Sequence, residues 1–205
     1  MAHGTLREIY DDFDRKVKEA FNWIGVVNGL ASDPGSPLKN EHVYFTYEYA
    51  FLKIFTAWEK FAEESFIAYM RGGQTKNCVH RTYLKKITHQ HALDLLSGTL
   101  PYPDWTNFED IYKLAKLFFV DCDAFTEPFK EIESKFVDMK KIRNAIVHMS
   151  ATSIQKFQGL LRANLPSYQV DMTPGEFLSN MKGQKTFMEY YVSYLEAAAR
   201  RITPI

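Results

Sequence analysis

Residues 41–70 read EHVYFTYEYAFLKIFTAWEKFAEESFIAYM, and this stretch decides how the chain folds. Tyr44, Tyr47, Phe51, Ile54, Phe55, Trp58, Phe61 and Phe66 recur at helical steps but cover more than one face. A helix that is apolar over much of its girth is central to a bundle or lies in an interface. The RGG at Arg71 to Gly73 ends it.

The flanks repeat the pattern. Upstream, Leu6, Ile9, Tyr10, Phe13, Val17, Phe21 and Ile24 form one apolar stripe, predicting a helix from about Thr5 to Val27. NGLASDPGSP then supplies glycine and proline, which stop helices. Downstream, about Gln74 to Thr106 is irregular: THQHALDLLSG suggests a short helix and GTLPYPDW a proline-rich loop. Helical periodicity resumes in NFEDIYKLAKLFF. A longer helix is expected after Pro128, with Ile132, Phe136, Met139, Ile142 and Ile146 as its stripe. A further helix is expected from about Thr152 to Ala163. TPGEF at Thr173 to Phe177 offers a Thr cap, proline at the first helical position and Glu176 three residues after the cap. KTFMEYYVSYLEAAARRI closes the chain as a final helix. No strand alternation, repeat or low-complexity tract stands out. The expectation is an all-α fold: a mostly antiparallel helical bundle with a loop-rich insertion around 74–106, forming a single domain over 1–205.

Composition bounds the function. The 205 residues are 46% apolar, enough for one sizeable core. Formal net charge is zero, from 25 basic and 25 acidic side chains, so any affinity for nucleic acid has to come from a local patch. Cys78 and Cys122 have no paired spacing and fit a reducing compartment better than a disulfide scaffold. No apolar run approaches the roughly 20 residues that span a bilayer, and the N-terminus lacks the apolar centre of a signal peptide. A soluble, cytoplasmic protein with no membrane partner is expected.

KKIRNAIVHMS, Lys140 to Ser150, holds the candidate chemistry. Asn144 and His148 are four apart and share a helix face. Arg143 and His148 are five apart and point about 140° from each other, although a long arginine stem can swing its head toward a neighbouring cleft. Lys140 adds positive charge three residues before Arg143. Ala145, Ile146 and Val147, between the polar residues, read as core-facing. The end of a helix favours an imidazolium at His148 and a nearby guanidinium disfavours it. The plain alternative is that the lysine and arginine solvate one face and His148 is a helix-end residue.

RNAIVH resembles the R-x4-6-H motif of the HEPN superfamily, in which a polar residue such as Asn144 commonly follows the arginine. The aromatic-rich FTYEYAFLKIFTAWEKFAEESF also resembles the early helix that carries acidic residues in several HEPN families, and the chain resembles the bacterial RiboL-PSP or MAE_28990 type of HEPN nuclease. The resemblance covers about Glu41 to Ser150. It implies an all-α, metal-independent endoribonuclease without cofactor, acting in a toxin–antitoxin or defence setting. RNA would be cleaved by its own 2′-hydroxyl, leaving a 2′,3′-cyclic phosphate. Arg143 would stabilise the phosphate, His148 would be the general acid or base, and Asn144 would support them. It further implies a homodimer in which both copies' motifs line one cleft, and a protein antitoxin as partner. Glu59 and Glu63, four apart among aromatic residues, either face water or, by the resemblance, position Arg143 or His148. The alternative function is a HEPN-like module that binds RNA, a nucleotide or a protein without cutting.

Other motifs carry less. Cys78, His80, His89 and His91 lack the ligand spacing of structural zinc sites, so no metal is expected. RGGQTK is no phosphate loop and reads as a helix stop.

Overall fold

The computed structural model describes residues 4–75, 78–79, 81–99, 103–121, 123–167 and 170–204. In chain order the elements are α1 (Leu6–Ala31), α2 (Asn40–Met70), β1 (Gln74–Thr75), β2 (Cys78–Val79), α3 (His89–Thr99), α4 (Phe108–Phe118), α5 (Asp123–His148), α6 (Ala151–Asn164), α7 (Pro174–Ser179), β3 (Met181–Lys182), β4 (Lys185–Thr186) and α8 (Phe187–Ile202). The fold is all-α, and its described strands are confined to two antiparallel hairpins of two-residue strands. Among the described residues no helix is long and apolar enough to cross a membrane.

The chain packs as two compact units. One gathers Met1–Arg15, Ala57–Ser134 and Leu195–Ile205; the other gathers Lys16–Thr56 and Lys135–Tyr194. The long helices α1, α2, α5 and α8 each contribute residues to both.

The first unit is built around Trp58, which is fully buried. Its ring meets those of Phe13, Phe61 and Phe129 at centroid separations of 5.9, 5.5 and 5.4 Å. Its indole N–H donates to the Trp105 carbonyl at 3.3 Å. Phe66 continues the cluster against Trp105, Phe119 and Phe125. Tyr69 donates its hydroxyl to the Ile202 carbonyl. The irregular 74–106 region is therefore woven into a core: Trp105, Ala92 and Leu96 are buried. Tyr83 N–H donates to the Phe118 carbonyl and Val120 N–H to the Arg81 carbonyl, tying the segment to the end of α4.

In the second unit Phe177 lies edge-to-face with Phe157 and tilted against Phe187, at centroid separations of 5.8 and 4.2 Å. Gly175 lets α7 approach α2: a Cβ at 175 would lie 2.1 Å from the Tyr44 carbonyl oxygen, a backbone atom that no rotamer change can move. Gly175 N–H donates to Glu48 Oε1 at 2.9 Å. Burial pushes the Glu48 carboxyl above its ordinary range and this hydrogen bond opposes the shift.

Several boundaries depart from the sequence reading. α1 runs to Ala31, past Asn28 and Gly29, because one glycine costs only about 1 kcal/mol in a long helix. The stop comes at Asp33 and Pro34, where Asp33 Oδ1 accepts from Gly35 N–H at 2.9 Å. α5 starts at Asp123 and contains Pro128 rather than following it. At the sixth helical position the proline lacks the N–H that would bond the carbonyl four residues earlier, so the helix loses one hydrogen bond and continues on the packing of its apolar face. Met181–Thr186, expected to be partly helical, forms the β3–β4 hairpin, with Gly183 at φ 70° in its turn. Thr173 caps α7 as read, accepting from Glu176 N–H at 3.1 Å.

Candidate functional site

The candidate site lies in the second unit, at the C-terminal end of α5. Ile142 and Ala145 are buried and hold this segment of the helix against the core. Ile146 is half-buried, and Val147 is 49% exposed, so it does not face the core as its sequence context suggests. A 3.6-residue period allows only part of a continuous apolar run to point inward.

α5 ends at His148. Met149 adopts the left-handed region at φ 45° and is 71% exposed. That conformation is costly for a bulky side chain. It reverses the chain within two residues, and Ser150 then caps α6, accepting from Ser153 N–H at 3.2 Å.

The turn brings the first turns of α6 beside the end of α5 and leaves a groove of about 530 Å³ between them. Lys140, Lys141, Asn144 and His148 line it from α5, and Ser150 and Lys156 from the α6 side. Arg143 Nη1 donates to Asn144 Oδ1 at 3.1 Å and lies 3.1 Å from His148 Nε2. The arginine stem has swung around the helix, so two residues that start about 140° apart meet at their tips. A guanidinium only donates. A hydrogen bond across this contact therefore has His148 Nε2 as its acceptor. Arg143 and Asn144 are half-buried and His148 is exposed, so the anchor is shielded while the imidazole remains accessible.

Lys141 and Lys156 escaped the sequence reading. The signal that was available is local: Ser150 followed by Ser153 is a cap pattern, and a cap directly after a helix end implies a tight reversal.

Glu59 and Glu63 belong to the first unit, where both are half-buried on α2. Burial pushes the Glu63 carboxyl up, the neighbouring Glu64 adds to that shift, and His89 opposes it. His89 Nδ1 lies 4.0 Å from Glu64 Oε2. Because the folded form of Glu63 holds its proton more tightly than the unfolded one, its ionised form subtracts stability above the folded pKa. The cost fades as pH falls toward the ordinary glutamate range. Glu63→Gln is expected to raise the unfolding midpoint at pH 7, with a gain that shrinks on acidification; solvent screening holds it below about 1 kcal/mol. Thermal melts of both proteins across pH check this, and an unchanged or lowered midpoint at pH 7 would contradict it.

Of the other sequence candidates, His89 and His91 fall in the first turn of α3, and Cys78 lies in β2. His80 and Cys122 lie outside the described residues. Among the described residues no group of three His, Cys, Asp or Glu side chains is placed to hold a metal ion.

No protein-family model, no curated protein and no solved structure matches this chain.

Proposed function

We propose that the chain is a metal-independent endoribonuclease of HEPN type, cleaving RNA by attack of its own 2′-hydroxyl. The observation that carries this reading is the 3.1 Å approach of Arg143 Nη1 to His148 Nε2 at a groove lined by three lysines. In-line attack requires a base for the 2′-hydroxyl, an acid for the leaving 5′-oxygen and positive charge on the phosphorane. A neutral imidazole is the form that accepts the first proton. Arg143 offers a fork of donors to the phosphoryl oxygens, and Asn144 Oδ1 holds that fork in place.

The resting contact has a consequence for the cycle. The Nε2 lone pair faces Arg143, so Nε2 becomes free as a base when the guanidinium turns onto the scissile phosphate. Substrate binding and base release are then one event. A single imidazole does not serve easily as base and acid together. We therefore place two copies around a shared cleft in a homodimer, with the second His148 donating to the 5′-oxygen. A toxin–antitoxin or defence role, a protein antitoxin and a cytoplasmic setting belong to the same proposal. A module that binds RNA without cutting it is the second reading; the same Arg143–His148 contact favours it if the pair stays closed over bound RNA.

The test uses a 5′-labelled RNA incubated with the protein in EDTA. The expected product ends in a 2′,3′-cyclic phosphate, and a single 2′-deoxy substitution at the cleaved position stops cleavage there. Cutting of the 2′-deoxy position, or activity that needs added magnesium, would overturn the mechanism. Tight binding with no product would favour the second reading.

A further inference from the structure

Resting on the ribonuclease reading, we infer that the α5–α6 groove beside the Arg143–His148 pair is a track for the backbone phosphates of single-stranded RNA next to the scissile bond, with Lys140, Lys141 and Lys156 as its positioning residues. With zero formal net charge, the chain attracts a polyanion only through a local concentration of cations. Here three lysines line one groove of about 530 Å³, and none of the described residues lining it is acidic. Asp138, on the same helix, pairs with Lys141 at 3.1 Å and fixes the direction of that ammonium while offsetting part of its charge. Lys156 is exposed. The first turn of α6 carries no acidic residue, so its partial positive charge adds to that of the lysines.

The dimensions suit a strand rather than an isolated anion. From Lys140 to His148 the helix advances about 12 Å, longer than one phosphate group. Val137, 51% exposed, lines the far end of the groove and offers an apolar surface to a base. Lysine binds phosphate as a mobile point charge and does not demand one geometry. Such a track fixes the register of the strand without reading its sequence, and it delivers the neighbouring phosphodiester to the more rigid Arg143 fork.

The test separates binding from cleavage. A fluorescent, single-stranded 2′-O-methyl oligonucleotide, which has no free 2′-hydroxyl to attack with, is titrated by anisotropy at several salt concentrations. The proteins are wild type, Lys156→Gln, the triple variant K140Q/K141Q/K156Q, and Lys113→Gln as a control on α4. For single strands each phosphate contact contributes about 0.7 to the salt slope. The expected slope falls by about 0.7 in Lys156→Gln and by about 2 in the triple variant, and stays at the wild-type value in the control. The single variant keeps the test decisive should the triple variant fold poorly. With cleavable RNA, Lys156→Gln is expected to raise KM several-fold with kcat close to wild type. Wild-type slope and KM in Lys156→Gln would overturn the track, as would failure of the wild-type protein to bind the oligonucleotide. The cyclic-phosphate assay judges the ribonuclease reading separately, since cleavage with an unaltered lysine-variant slope would sink the track alone.

Discussion

His148→Ala is expected to lower the rate of RNA cleavage by about 10²–10⁴-fold, the usual contribution of a positioned general acid or base. The residue is exposed and ends its helix, so its truncation should leave the unfolding midpoint nearly unchanged, within about 0.5 kcal/mol. Loss of activity in a protein that melts like wild type is the expected signature. Arg143→Ala should cost about 10²–10³-fold through lost phosphorane stabilisation. Arg143→Lys should recover little of this, because an ammonium is a point charge and cannot offer the phosphoryl oxygens a planar fork of donors. Initial rates on labelled RNA measure all three, and His148→Ala within a few-fold of wild type would remove His148 from the chemistry.

Trp58→Ala is expected to destabilise the protein by about 3–5 kcal/mol, the range for deleting a buried aromatic ring. Three aromatic neighbours in the first unit would line the resulting cavity: Phe13, Phe61 and Phe129. These rings sit on α1, α2 and α5, so no single side-chain movement closes it. The indole N–H would also be withdrawn from the Trp105 carbonyl, leaving a buried acceptor to find another donor. Trp58→Phe keeps most of the packing and loses the hydrogen bond, and should cost distinctly less. Chemical denaturation at constant m-value reads both; a loss below about 1 kcal/mol for the alanine variant would show that the cluster relaxes around the gap.

Much of the helical framework was legible because its causes are local. Phe13, Val17 and Ile24 recur at helical steps and all are buried, as are Phe51, Ile54, Phe55, Trp58, Phe61 and Phe66 on α2. The Thr173 cap was readable for the same reason: its partner is three residues away. The region around 74–106 was harder. Trp105 is an isolated apolar residue in a proline-rich stretch, and its burial depends on rings supplied by distant segments, such as Phe66. Val147 was misplaced because a run of three apolar residues does not say which of them faces inward. The glycine at 175 carries no local mark at all; its need arises from Tyr44, more than a hundred residues earlier.

Helical class, the buried stripes and the grouping of an arginine, an asparagine and a histidine near a helix end are all local properties of the chain. Those properties follow from 3.6-residue periodicity and from hydrogen bonds spanning a few residues. That Arg143 swings onto His148, and that Lys156 joins Lys140 and Lys141 in one groove, emerges in the folded chain alone. The groove depends on the reversal at left-handed Met149, which sets the start of α6 beside the end of α5. The direction of that reversal is set by packing around it, and no spacing along the chain encodes it.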